Sequence, residues 1–232
     1  YFVEPTGTKF RASYGTAFRA PSLFELFDPT FGNAALTPET SKGWDAGIDQ
    51  TFAGGRASFS ATYFSLDIEN LIQFVFPAGF STVQGTTERH GFELSGRAQM
   101  TDWLAGSVSY TRTDTEDADG NRLIRVPRHV YTIGLDIKPS DRLTINTTAS
   151  IVRDTLDVSS AFTPDFQLDD YVLVNAKATY AVSDSLSLYV RGENLLNEEY
   201  QTLRGFGTSD LAVYAGLNMK LNGRPPLDPP VN

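Results

Sequence analysis

Apolar and polar side chains alternate along most of this chain, and a period of two places successive side chains on opposite faces of a β-strand. Phe10, Ala12 and Tyr14 alternate with Lys9, Arg11 and Ser13, and Trp44, Ala46 and Ile48 with Asp45, Gly47 and Asp49. Phe59, Ala61 and Tyr63 stand against Ser58, Ser60 and Thr62; Phe92, Leu94 and Ala98 stand against Glu93, Ser95 and Arg97. After a weaker segment over 103–112 the pattern returns with Tyr131, Ile133, Leu135 and Ile137, then with Leu143, Ile145 and Ala149. Val172, Val174, Ala176 and Ala178 oppose Asn175, Lys177 and Thr179, and Leu186, Leu188 and Val190 oppose Ser187, Tyr189, Arg191 and Glu193. The last segment runs from Leu211 through Val213, Ala215, Leu217 and Met219 to Leu221. Ten strands are predicted, and none of the twelve prolines falls inside these segments, as strands that use their N–H groups for a ladder require.

The connections alternate too. Long ones fall at about 17–40, 69–82, 114–128, 154–169 and 197–210, and tight turns at Ala53-Gly54-Gly55, Thr101-Asp102, Pro139-Ser140-Asp141 and Ser183-Asp184. In an up-and-down antiparallel array this places every long loop at one end and every short turn at the other, which is the pattern of an outer-membrane barrel with extracellular loops and periplasmic turns. A soluble sandwich or lipocalin-like barrel also alternates. Ten strands of roughly ten residues, however, offer more apolar face than one confined interior uses, and that length suits a tilted bilayer crossing. Tyr14, Trp44, Tyr63, Tyr110 and Tyr131 stand near strand ends, where an interfacial belt would sit.

Composition narrows the chemistry. The 232 residues carry 19 Lys and Arg against 28 Asp and Glu, a formal charge of −9 with no basic cluster, so nucleic acid is not an expected partner. Cysteine is absent and histidine occurs twice, at His90 and His129, which excludes thiolate chemistry and a His-rich metal centre. No catalytic residues, metal site or cofactor are assigned. No apolar run is long enough for a spanning helix.

The stretch from Tyr14 through Phe18-Arg19-Ala20-Pro21-Ser22-Leu23-Phe24-Glu25-Leu26-Phe27, followed by Gly32-Asn33 and Leu36-Thr37-Pro38-Glu39-Thr40-Ser41, resembles the barrel of TonB-dependent outer-membrane receptors. Arg191-Gly192-Glu193-Asn194-Leu195-Leu196-Asn197-Glu198-Glu199-Tyr200 is similar to the segment before that family's last hairpin. The resemblance covers residues 8–221; Asn222 to Asn232 form a Pro-rich tail. Tyr214, Gly216, Met219 and Leu221 follow the family's C-terminal assembly pattern, although an aromatic residue is usual where Leu221 stands. The resemblance implies an all-β, 22-stranded transmembrane barrel of which this chain is the C-terminal part, with the plug and the TonB-binding motif N-terminal to it. It also implies active import of a scarce nutrient. The spacing from Tyr200 through Gly205-Phe206-Gly207 to the last strand is similar to the cobalamin receptor branch, with ferric siderophores as the other ligand class.

Parity then assigns Arg11, Asp45, Asp49, Glu93, Arg97, Asn146, Lys177, Arg191 and Glu193 to the lumenal, plug-facing side, because a charge facing lipid at mid-depth costs about 2–4 kcal/mol for Arg or Lys. Loop aromatics offer ligand contacts at Phe27, Phe31, Phe74, Phe76, Phe80, Phe162, Phe166 and Phe206, together with Arg204. Pro21 is expected in the first turn of a short rim helix carrying Leu23, Phe24 and Phe27. A free-standing ten-stranded barrel acting as a porin, protease or lipase is the rival. An enzyme would need His90 or His129 as its pivot, and His90 shares the parity of lipid-facing Phe92 and Leu94.

Overall fold

Each alternating segment becomes a long strand in the computed structural model, which describes residues 1–158 and 166–220. In chain order the strands are β1 (Phe2–Val3), β2 (Thr8–Arg19), β3 (Glu39–Phe52), β4 (Ala57–Glu69), β5 (Ile72–Val75), β6 (Gly79–Thr82), β7 (Thr86–Gln99) and β8 (Leu104–Glu116). There follow β9 (His129–Ser140), β10 (Leu143–Arg153), β11 (Thr155–Asp157), β12 (Phe166–Leu168), β13 (Tyr171–Ala181), β14 (Leu186–Glu193) and β15 (Ala212–Met219), and a single short helix, α1 (Leu23–Phe27), lies between β2 and β3. Among the described residues, one antiparallel sheet of 11 strands runs β1-β2-β3-β4-β7-β8-β9-β10-β13-β14-β15. It has two edges and is not closed on itself, as befits a portion of a larger barrel wall.

The small strands are the departures from the sequence reading. β1 adds a two-residue pairing ahead of the ten long strands, and two loops carry their own hairpins, β5-β6 and β11-β12. β2 continues to Arg19, beyond the expected loop start at residue 17. Pro139 lies inside β9, one residue from its end, where a missing N–H is tolerated. The rim helix begins at Leu23 with Ser22 as its cap, so Pro21 precedes the cap instead of occupying the first turn. Phe162, Leu221 and the proposed tail fall outside the described residues.

Register carries the alternation across the whole sheet. Phe10 opposes Ile48, Ile48 opposes Ala61, Ala61 opposes Leu94, and Leu94 opposes Tyr110. The row goes on through Tyr131, Ile151 and Val172. This apolar face is open: Val190 is 53% and Leu217 60% exposed, and among the described residues the buried apolar side chains are only Leu36, Ile72, Ala105 and Leu168. A soluble barrel would bury that face, whereas here its side chains range from half-buried to exposed, the disposition that a lipid-facing wall requires. On the same face the aromatics form one slanting band. Tyr14 opposes Trp44, Trp44 and Tyr63 lie 5.4 Å apart between ring centroids, Tyr63 opposes Phe92, and Phe92, Tyr110 and Tyr131 follow at 5.5 and 4.5 Å. Six strands thereby share a girdle.

Connections of two lengths separate the ends. Residues 20–38, 70–85, 117–128, 154–170 and 194–211 link strands at one end; 53–56, 100–103, 141–142 and 182–185 link them at the other.

Candidate functional site

The polar face and the long-loop end are where this wall can meet a ligand. All nine side chains assigned to the polar face by parity share it in the structure. Arg11 opposes Gly47 and reaches across the next two strands: its Nε donates to Asp49 Oδ1 at 3.3 Å, one Nη lies 3.7 Å from Asp45, and the other Nη donates to Ser60 Oγ at 3.1 Å and to the Thr62 hydroxyl. Ser60 in turn donates to Asp49 at 2.7 Å. Farther along, Asn146 donates to Asp136 at 2.6 Å and opposes Lys177, which opposes Arg191. Lys177 lies 4.8 Å over the Tyr189 ring, and Arg191 4.6 Å over Tyr214 and 3.3 Å from Glu193. Gly216 leaves room for the Tyr189 ring lying across it, since a Cβ would sit 2.6 Å from that hydroxyl. Glu93 and Arg97 occupy the same face on β7, and Arg97 borders a recess with Asp102, Asp136 and Asn146.

At the loop end the side chains gather into two clusters. The first is organised by Arg19, whose Nε and Nη2 donate to the Glu39 carboxylate at 2.7 and 2.9 Å while Nη1 donates to Glu25 at 3.1 Å. Glu39 also accepts the Ile72 backbone N–H at 2.8 Å, and Glu25 closes a capping box with Ser22. One guanidinium thus ties α1, β3 and the β5-β6 hairpin, which is the physical content of the Arg19, Glu25 and Glu39 positions in the recognised stretch. The Glu25 carboxyl is held below its ordinary range chiefly by the Ser22 N–H, against the opposing effect of partial burial.

Behind this clamp the rings of Phe24, Phe80, Phe74 and Phe31 form a chain of edge contacts at 5.8, 5.2 and 5.2 Å. Asn33 donates to the Phe80 carbonyl at 3.1 Å and the Phe80 N–H donates to Phe31 at 2.9 Å. Gly79, at φ +91°, lets this hairpin close in, since a Cβ would lie 2.5 Å from the Phe31 carbonyl oxygen. Three of the expected ligand aromatics, Phe31, Phe74 and Phe80, are therefore brought together with Phe24, which the sequence reading had assigned only to the rim helix. Phe27 and Phe76 stay mostly exposed on the same loops.

The second cluster centres on Asp157, fully buried at the end of β11. Its Oδ1 accepts Arg125 Nε at 2.9 Å and Val158 N–H at 2.8 Å, and its Oδ2 accepts Arg204 N–H at 2.7 Å. Burial alone would raise this carboxyl, but the two backbone donors and Arg125 outweigh it and hold the pKa below the ordinary aspartate value. Arg204 also lies 4.3 Å over Phe166 and donates to the Val158 carbonyl at 3.3 Å. Nearby, Asp154 receives Arg122 at 2.9 Å and Arg128 at 3.2 Å, which keep it charged against desolvation.

Asn194, buried with φ +48°, accepts the Glu198 N–H and donates to the Glu198 and Ser209 carbonyls, so it folds the last long loop. Phe166, Asp169, Glu199, Tyr200, Gln201 and Asp210 line a recess of about 490 Å³ between these loops. Phe206 remains exposed. Neither Asp154 nor Asp157 carries a sequence signal: each is one acid in a loop, and only the fold shows what it gathers.

The comparisons agree with this architecture. Residues 3–195 match the family described as "TonB dependent receptor-like, beta-barrel". The vitamin B12 transporter BtuB of Vibrio cholerae is 29% identical over 219 residues, 93% of this chain and 35% of its own length. That of Vibrio vulnificus is 30% identical over 204 residues, 86% and 32% respectively. Among solved structures, the copper transporter OprC superposes with a TM-score of 0.79 at 16% identity, covering 92% of this chain and 36% of that one. The ferric-catecholate import receptor Fiu of E. coli gives 0.73 at 20%, covering 94% and 34%. The chain spans about a third of the length of the relatives it matches. With its open sheet, uncovered apolar face and one-ended loops, the chain belongs to the TonB-dependent receptor family, as a stretch of the β-barrel.

Proposed function

We propose that this chain supplies barrel wall and extracellular loops to an outer-membrane, TonB-dependent importer of a scarce nutrient. Cobalamin is the first candidate ligand and a ferric siderophore the second. The observation that carries the reading is the segregation of all five long connections, with both side-chain clusters, to one end of a sheet whose other end has only tight turns. That end is the extracellular one and the turns are periplasmic. The lipid-free face presents Arg11, Asp45, Asp49, Glu93, Arg97, Asn146, Lys177, Arg191 and Glu193 to the plug domain of the whole receptor. TonB then acts on the plug, which lies outside this sequence.

Ligand capture falls to exposed loop aromatics, Phe27, Phe76 and Phe206, seated on clusters that hold their backbones still. Phe31, Phe74, Phe80, Phe166 and Arg204 shape the loops beneath them. The names of the relatives favour cobalamin over siderophore. A hydrolase is disfavoured, because His90 and His129 both carry the parity of the apolar face and His129 Nδ1 is engaged by the Tyr110 hydroxyl at 2.8 Å.

The test is uptake of labelled cobalamin by cells whose own receptor is deleted and replaced by the full-length gene containing this chain. Uptake that disappears when TonB is deleted is expected. Absence of uptake of both cobalamin and ferric siderophores, or uptake indifferent to TonB, overturns the reading.

A further inference from the structure

Among the described residues, one arginine at the long-loop end of the polar face has no counterion. Arg89 of β7 shares the side of Glu93 and Arg97, directly between Leu66 of β4 and Thr115 of β8. At this end of the sheet Arg19, Arg112, Arg122, Arg125, Arg128 and Arg153 each hold a carboxylate, and Arg204 holds a carbonyl and a ring. Arg89 makes no hydrogen bond or ion pair among the described residues, although its Nε is sealed from solvent, and Glu93 on the same strand stays outside ion-pair reach. Two positions along the same face, Thr87 is fully buried and its hydroxyl is also without a partner. Of the two other such atoms among the described residues, Thr101 Oγ1 lies in a turn at the opposite end and Arg128 Nε is 2.9 Å from Asp114. Thr87 and Arg89 therefore mark a place that this chain leaves short of acceptors.

The surroundings of Arg89 favour an anion. Leu66 leans over Gly43, where a Cβ would meet it at 3.1 Å, and Phe64 lies over Gly91, where a Cβ would meet its ring at 2.9 Å. These apolar walls border the guanidinium and weaken the screening of its charge. Two loops also lean onto the polar face beside it. Glu39, on that face, accepts the Ile72 N–H at 2.8 Å, which draws in the β5-β6 hairpin. Thr115, directly opposite Arg89, accepts the Leu123 N–H at 3.0 Å, which draws in the 117–128 loop. Arg89 stands half-buried between these two roots.

We propose that Arg89 takes the anionic group, a phosphate or carboxylate, of the nutrient that enters between these loops. The inference rests on the importer reading and deepens it by assigning one contact and the charge it recognises. The two Nη groups supply paired N–H donors to such an oxyanion, since Nε is covered. The other loop arginines do not compete, because their own carboxylates already answer them.

The test is equilibrium binding of cobalamin and of cobinamide, which lacks cobalamin's phosphodiester, to the full-length receptor in detergent. R89Q should weaken cobalamin binding about ten- to a hundredfold and leave cobinamide within about twofold of the parent. R89K, which keeps the charge, should recover most of the loss. R142Q, the same charge change in a tight turn at the other end, should leave both affinities as in the parent. Unaltered cobalamin affinity in R89Q overturns the proposal. Equal weakening of both ligands also overturns it, because Arg89 would then act on the plug or the fold and not on the nutrient's anion. A parent receptor that binds neither compound refutes the cobalamin reading itself, whereas a parent that binds cobalamin and gives either of the former results refutes only this contact.

Discussion

Replacing Asp157 by asparagine keeps shape and volume but changes which atoms can accept. In the native loop both carboxylate oxygens are used, one by Arg125 and Val158 and the other by the Arg204 N–H. An amide oriented to retain the first pair turns its NH2 toward the Arg204 N–H, so two donors face each other in a buried place. Leaving such a donor unanswered costs about 1–3 kcal/mol, and weakening the charge-assisted bond from Val158 adds about 1 kcal/mol. The Arg125 side chain is 47% exposed and keeps the amide oxygen as its partner, so its screened share changes little and does not enter the sum. The sum, about 2–4 kcal/mol, acts on the loops and not on the ladder of the barrel, because Asp157 belongs to the separate β11-β12 hairpin. Hydrogen–deuterium exchange on the full-length receptor is the assay. Protection of the Val158 and Arg204 amides should fall by about 30- to 1,000-fold while peptides from β13 and β14 exchange as before. Unchanged exchange at both amides would show that Asp157 is not the tie this geometry makes it.

Three further outcomes follow from the same structure. R19A removes the donor shared by Glu25 and Glu39 and should loosen α1 by about 1–3 kcal/mol, seen as new proteolytic cleavage within residues 20–31; R19K should not restore protection, since an ammonium cannot span both carboxylates. V190R places a cation on the lipid face and should lower refolding stability in vesicles by about 2–4 kcal/mol, whereas T179R, on the opposite face of the neighbouring strand, should refold like the parent. Asp154, Asp157 and Glu25 all have depressed pKa values, so the stability they contribute is fully present above their unfolded values near 4 and is lost as pH falls through the lower folded values. Loop protection should accordingly be flat from about pH 7 to 5 and decline below about pH 4, with the strands unaffected.

How much was legible from residues alone follows from what solvates each part. Phe10, Ile48, Ala61 and Leu94 announce their face because a bilayer on one side and water on the other enforce a strict period of two. Thr16, Ala17 and Phe18 blur it: β2 continues above the girdle, where neither face needs lipid-compatible side chains, and the sequence there reads as loop. The β5-β6 and β11-β12 hairpins are too short to carry a period and exist because loop packing holds them. Parity identified the polar-face charges but not their partners, since Arg11 meets Asp49 through register across strands. Asp157 was invisible for the same reason: its three donors come from segments up to 47 positions away.

The apolar face described above has a consequence for how this wall can change. A soluble core must conserve volume, because every methyl group meets fixed neighbours. Val213, Leu217 and Met219 instead meet a fluid that adapts to whatever shape is offered, so exchange among Val, Leu, Ile, Met and Phe at such positions leaves no cavity and forces no clash. Drift in a wall of this kind is free in shape and bound only in polarity. Tighter constraints on shape gather toward the long-loop end, at Arg19, Asp157 and Asn194, so the barrel's individuality is written more in its connections than in its staves.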